Sequence, residues 1–230
     1  MKIFNHVGLI EPIEMNTITI DGKRYYVTPT GYNHPSVTTV ISNNSKKQKV
    51  ISEWRRKVGH EKATRISTQS AGRGTRYHKI AEDYFNNCLD IEKYKDQPLP
   101  VLMFNSSIDI LNRINNIYLQ EAALYSDKLQ IAGRVDCIAE FDDELSIIDF
   151  KTSKKQKKED YLYDYYVQEC AYACMLQELY GLSVKKLVTI ISCEDGDTQL
   201  SVKSPKKEYF LRLQEYIQEY KEKNDRKSGG

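Results

Sequence analysis

Three residues define the chemistry open to this chain: Asp136, Asp149 and Lys151. Asp149 and Lys151 close the apolar run Leu145-Ser146-Ile147-Ile148-Asp149-Phe150-Lys151, and on a strand such spacing sends both to one face while Phe150 points to the other. Asp136 lies on the preceding run, Gly133 to Phe141, where a hairpin would bring it close to Asp149. Two converging carboxylates suit a hard divalent cation, since Mg²⁺ typically takes one or two carboxylates and completes its shell with water and phosphate oxygens. A lysine on the same face can hold or deprotonate the water that attacks a phosphodiester. The same three residues would also serve as an exposed Asp149–Lys151 ion pair with Asp136 capping a turn. The tripeptide alone does not separate these readings.

The elements that must position these groups can be read from pattern. Gly133–Phe141 and Leu145–Lys151 form the two strands of a hairpin, with the acidic Asp142-Asp143-Glu144 as its turn. Upstream, a helix over His60–Ala71 is interrupted by Gly72-Arg73-Gly74-Thr75, and Thr75 caps a second helix from Arg76 to about Cys88. On that helix His78 and Glu82 are four apart and share a face. His78 offers a nitrogen ligand, which favours Mn²⁺ more than an all-oxygen site does. Glu82 is either a further ligand or the group that fixes the imidazole tautomer. Downstream, a helix over Tyr161–Tyr180, ended by Gly181, carries Gln168 and Tyr172 one turn apart. The intervening run Lys154-Lys155-Gln156-Lys157-Lys158 is a loop that suits a phosphate backbone, and the tyrosines at 161, 163, 165 and 166 divide between core positions and rings that stack on unpaired bases.

The rest of the chain supplies scaffold. Residues 1–30 read as a β-meander, with Thr17–Ile20 and Arg24–Val27 joined by a tight primed turn at Asp21-Gly22. Ser36 caps a short helix whose buried side is Val37, Val40 and Ile41, and Asn43–Lys47 is a polar loop. Trp54 sits on a helix over Val50–Val58. After a linker at 90–100, Met103–Tyr125 reads as a mostly helical segment with Phe104, Ile108, Leu111, Ile114 and Tyr118 as its core stripe. Strands over Lys186–Cys193 and Gln199–Lys203 follow, and a last helix runs from Ser204-Pro205 to about Lys223 with Phe210, Leu213, Ile217 and Tyr220 inward. The tail from Asn224 to Gly230 is expected to fray.

Composition bounds the function more weakly. The 230 residues suffice for one sizeable α/β domain, and 34 Lys+Arg against 32 Asp+Glu leaves a net charge of +2 that selects no partner. Hydrophobic content of 40% with 17 tyrosines indicates a folded protein. No stretch approaches membrane-spanning length, no apolar signal region opens the sequence, and no Walker-type loop indicates an ATP motor. Cys88, Cys137, Cys170, Cys174 and Cys193 form no disulfide framework, which points to free thiols in a reducing cytoplasm, of a bacterium or a phage-infected host cell. Cys170 and Cys174 lack iron–sulfur spacing, and Cys137 and Cys193 lie in apolar strands unsuited to a reactive thiolate.

Taken in order, GTRYHKIAE, GRVD, IIDFKTS and QECAY resemble the motifs of the PD-(D/E)xK nuclease superfamily in its RecB-like exonuclease branch. With HPSVTTVIS and the Trp54 region, the chain is similar to the mitochondrial genome-maintenance exonuclease group and its phage and bacterial relatives over roughly residues 30–195. The resemblance implies one nuclease domain over 1–230: an α/β fold with a central mixed sheet flanked by helices, a mostly helical DNA-threading part over 31–125, a catalytic sheet core over 126–204 and a C-terminal helix over 205–223. It implies Mg²⁺ or Mn²⁺ held by His78, Asp136, Asp149 and the Phe150 carbonyl, with Lys151 as catalytic lysine and Gln168 as the later motif residue. Arg73, Arg76, Lys154, Lys155 and Tyr172, with Ser36 and Trp54, are the candidate DNA contacts. The expected activity is exonucleolytic cleavage of single-stranded DNA or DNA ends by a monomer, in DNA replication, recombination, repair or phage DNA metabolism. An endonuclease on the same chemistry and an inactive DNA-binding scaffold are the alternatives. The family's proline before the first acid is replaced by Val135, an ordinary departure in this branch.

Overall fold

The computed structural model describes residues 2–228. Along the chain, β1 (Asn16–Ile20), β2 (Lys23–Val27) and β3 (Asn33–Pro35) form a small antiparallel sheet. Helices α1 (Val37–Ser42), α2 (Ser45–Val58), α3 (His60–Phe85) and α4 (Pro98–Leu111) follow. A second sheet is then laid down by β4 (Ile114–Ser126), β5 (Ile131–Phe141), β6 (Glu144–Ser153), β7 (Lys186–Cys193) and β8 (Thr198–Lys203), with α5 (Tyr163–Tyr180) between β6 and β7 and α6 (Lys207–Ser228) last. Its spatial order is β4-β5-β6-β7-β8. Only β6 and β7 pair in parallel, and α5 supplies the crossover that a parallel pair requires. This is the mixed sheet flanked by helices expected from the sequence.

Both faces of the sheet are covered, which is why its central strands are apolar almost throughout. Ile147, Leu187 and Ile191 pack toward α1, α5 and α6, while Ile148, Phe150, Val188 and Ile190 pack toward α3 and α4. Each fully buried aliphatic or aromatic side chain contributes about 1.5–3 kcal/mol. Asp149 interrupts that pattern, and so do Ser146, Thr189 and Ser192, all buried. The β5–β6 hairpin turns at Asp142 (φ 48°) and Asp143 (φ 61°), and β1–β2 turns at Asp21 (φ 50°) and Gly22 (φ 70°). Both are tight turns with positive φ at both central positions, which match strand twist.

Two expectations are corrected. First, Gly72 and Gly74 do not break the helix: α3 is continuous from His60 to Phe85, and Thr75 donates back to the Ala71 carbonyl at 3.2 Å instead of capping. Two mid-helix glycines cost about 1 kcal/mol each relative to alanine. Burial of Tyr77, Ile80, Ala81, Tyr84 and Phe85 outweighs that. Second, the helix expected to reach Tyr125 ends at Leu111, and Ile114 begins β4 instead. Bulges displace the β4–β5 register between Asn115 and Ile117 and between Ile117 and Leu119. They spread the apolar residues to a spacing that imitates a helix.

Smaller differences follow from local capping. Asn44 accepts the Lys47 N–H at 2.8 Å, so α2 begins at Ser45 and only Asn43 and Asn44 remain of the polar loop. Helix α6 runs to Ser228, past the expected fraying point; Gly229 and Gly230 lie outside the described residues. On α6 Tyr209 is buried along with the expected Tyr220, while Phe210 is only half-buried. All five cysteines are free thiols. No helix among the described residues is long and apolar enough to cross a membrane.

Candidate active site

The site forms where β4, β5 and β6 meet α3 and α5. Asp149 on β6 is 1% exposed, and a carboxylate there must be satisfied by the protein. Gln168 on α5 donates its Nε2–H to Asp149 Oδ1 at 2.9 Å, and the Lys151 ammonium contacts Asp149 Oδ2. Asp136 on β5 accepts the Phe150 backbone N–H at 2.8 Å, which ties the two strands of the hairpin together at the site. On the opposite face the Phe150 ring stacks on Phe85 of α3 at 5.5 Å, fixing the alternation that sends Asp149 and Lys151 inward to the site.

Helix α3 delivers the imidazole. His78 Nδ1 lies 3.7 Å from Asp136 Oδ1 and 3.8 Å from Glu121 Oε1. Ligand atoms of His78, Glu121 and Asp136 all fall within 4.8 Å of one another. Glu121 was not legible from the sequence, because it sits on β4, in the stretch whose pattern imitates a helix. With Gln120 paired to Cys137 and Ala122 to Val135, Glu121 stands across from Asp136. It also adopts a positive φ of 47°, a conformation that a non-glycine residue takes up at a cost. Two carboxylates set side by side on adjacent strands repel each other. A divalent cation beside an imidazole nitrogen removes that repulsion, so the donor set fits Mg²⁺ and, through the nitrogen, Mn²⁺.

The electrostatics agree with a site built for a positive charge. Burial works against the His78 imidazolium, but Glu121 and Asp136 outweigh it and hold the ring above its ordinary value. Burial pushes the Asp149 carboxyl up to about 6, against the pull of Lys151. Burial also opposes the Lys151 charge, yet Asp149 and Asp136 more than offset it, so the amine is firmly an ammonium. Beneath them Glu169, fully buried on α5 and hydrogen-bonded by the Thr189 hydroxyl, is raised well above the carboxylate range by burial and by Asp149.

The remaining expected residues divide. Ser36 caps α1, accepting the Thr39 N–H at 3.1 Å, and lines the pocket together with Asp136, Lys151, Gln168 and Tyr172. Tyr172 is buried, and its ring packs on Gly133, where an added Cβ would lie 2.8 Å from Tyr172 Cε1. It is a wall of the pocket, not a free stacking platform. Glu82 is a correction: its carboxylate is held by Lys79 at 3.2 Å, and it is not part of the His78 cluster. Arg73 is another, being buried and paired with Glu194. Arg76, Lys154 and Lys155 are exposed, and half-buried Trp54 lies on α2, away from the pocket. Of the tyrosines, Tyr161 is 69% exposed, Tyr166 is buried, and the Tyr165 ring lies 5.3 Å beneath the Lys151 ammonium.

Residues 52–227 match the family model of the PD-(D/E)XK nuclease superfamily. The chain belongs to that superfamily. It is also similar to mitochondrial genome maintenance exonuclease 1 of Homo sapiens, at 25% identity over 84% of this chain and 61% of that protein. The protein of that name from Xenopus tropicalis is 28% identical over 82% of this chain and 59% of its own length. The chain thus spans about three fifths of the length of those relatives. A crystal structure of an Eubacterium rectale protein superposes with a TM-score of 0.43 at 11% identity, covering 63% of each chain, a likeness too loose to build on.

Proposed function

We propose that this chain is a divalent-metal-dependent DNA exonuclease acting on single strands or frayed ends. The convergence of His78, Glu121 and Asp136 beside the Asp149–Lys151–Gln168 set carries this reading. The superfamily supports phosphodiester hydrolysis, and the names of the relatives support exonuclease over endonuclease. A cavity of about 220 Å³ beside these groups has room for one phosphodiester unit.

In this mechanism His78, Glu121 and Asp136 would hold the ion, with Asp149 and the Phe150 carbonyl as further oxygen donors. Bound Mg²⁺ or Mn²⁺ supplies Lewis-acid polarisation of the scissile phosphate. Gln168 fixes the Asp149 carboxylate, and Asp149 in turn aims the Lys151 ammonium into the pocket. Because Lys151 is held charged, its part is to donate hydrogen bonds to the attacked phosphate and steady the charge that builds there, rather than to take a proton. The imidazole of His78, poised between two carboxylates, would have to be neutral to hold the ion through its nitrogen.

End-labelled single-stranded DNA, duplex, RNA and a sealed single-stranded circle, each incubated with Mg²⁺ and with Mn²⁺, test the proposal. Progressive shortening of linear single-stranded DNA, abolished by chelator, is expected. Asp149→Asn and Lys151→Ala should each lower the rate at least about 10²-fold. Cleavage of the sealed circle rules out an obligate exonuclease, and near-normal turnover by Asp149→Asn rules out the site.

A further inference from the structure

We propose that Arg24 and Arg134 grip the phosphates flanking the scissile one, so that the N-terminal sheet is a working wall of the catalytic pocket. The inference rests on the nuclease reading above and goes beyond it by naming how the strand is held. The matched family span begins at residue 52, yet Arg24, Tyr26 and Thr38 line the same pocket as Asp136 and Lys151. The sheet is anchored there: Ser36 N–H donates to the Arg24 carbonyl at 2.9 Å, and Ser36 bridges to Ala132 at the start of β5.

The charge arrangement singles out these two arginines. Arg73 and Arg113 are neutralised by Glu194 and Asp142. Arg24 and Arg134 are exposed on the pocket rim, and among the described residues neither forms an ion pair, although Glu121 and Asp136 line the same cavity. Arg24 is nonetheless held, its guanidinium 5.8 Å from the Tyr26 ring centroid and its Nη2 donating to Thr38 Oγ1 at 3.4 Å. Those contacts leave most of its five N–H donors free, in the fork that matches phosphate oxygens. Arg134 stands two residues before Asp136 on β5 and lines the same pocket. An anionic strand entering a cavity lined by Glu121 and Asp136 is repelled. Guanidinium groups on β2 and on β5 offset that repulsion and set the strand across the acids.

The test is steady-state cleavage of a labelled oligothymidylate by the full chain in Mg²⁺ over a range of KCl, for wild type, Arg24→Gln, Arg134→Gln, the double variant and Arg24→Lys. Each glutamine variant should raise KM severalfold with kcat held within about twofold, and flatten the dependence of log(kcat/KM) on log[salt] by about 0.7, one single-strand phosphate contact. Arg24→Lys should keep the wild-type slope, and thermal stability and Mn²⁺ binding should not change. A double variant with wild-type KM and slope overturns the proposal. So does loss of activity that follows loss of Mn²⁺ binding or of the fold, which would make the arginines structural. A wild-type chain that cleaves no oligonucleotide overturns the nuclease reading itself, a result distinct from either.

Discussion

On the β5–β6 hairpin Asp149 is 1% exposed and gripped by Gln168 and Lys151, whereas α2 buries no residue at all. The hairpin belongs to a sheet covered on both faces. Helix α2 instead shows solvent Lys46, Lys49, Arg55, Arg56 and Lys57, and a groove between it and α3 is lined by Gln48, Ile51, Ser52, Arg55, Arg56 and His60. Groups proposed to hold a cation and a phosphate, a task that needs placement within fractions of an ångström, sit on elements locked by packing. Groups that need only follow a flexible polyanion can sit on a helix that buries none of its residues, because phosphate contacts are long-ranged and tolerant. Arg24 and Arg134 lie between these extremes, at the rim where the rigid site meets solvent.

The largest test of this contrast uses pH. The Asp149 carboxyl is raised above its unfolded value to about 6, so the folded chain binds a proton there that the unfolded chain has released. Stability of the metal-free chain therefore falls as pH rises from about 4 through 6, by at most about 3 kcal/mol from this group. His78 acts in the same direction: its folded value is also raised, so its contribution is present at low pH and is lost as pH rises through that value. Thermal melts from pH 4 to 8 should show this decline, its abolition by Mn²⁺, and a flatter profile for Asp149→Asn. A decline unaltered by Mn²⁺ would separate the carboxylates from any cation site.

Next in size is Gly133→Ala. The new methyl meets the Tyr172 ring at 2.8 Å, and overpacking of that kind costs about 1–3 kcal/mol. Chemical denaturation should show that loss along with reduced cleavage. An unchanged midpoint would mean that the pocket wall is soft. The smallest stability effect belongs to Arg55→Glu with Arg56→Glu on α2, expected within about 0.5 kcal/mol of wild type. The same pair should weaken single-stranded DNA binding roughly tenfold at moderate salt, as a fluorescence titration would show, and should vanish as a difference at high salt.

Much of the site was legible in the sequence because local rules sufficed. Period-two alternation and a tight acidic turn define the β5–β6 hairpin, and that alternation alone places Asp149 and Lys151 on one face. Gly181, with φ 72°, ends α5 as its position after the apolar stripe requires. Legibility failed where tertiary packing overruled local preference. Gly72 and Gly74 read as a break, but the buried face of α3 carries the helix through them.

The sequence by itself determined the hairpin, its acid–lysine pair and the helices that carry His78 and Gln168, since each follows from residues a few positions apart. Only the tertiary structure decided that Glu121, not Glu82, stands beside His78, that Arg73 is spent on Glu194, and that Arg24 reaches the pocket at all. Bulges in β4 and the docking of the small sheet onto β5 are products of long-range pairing, whose register no local pattern encodes.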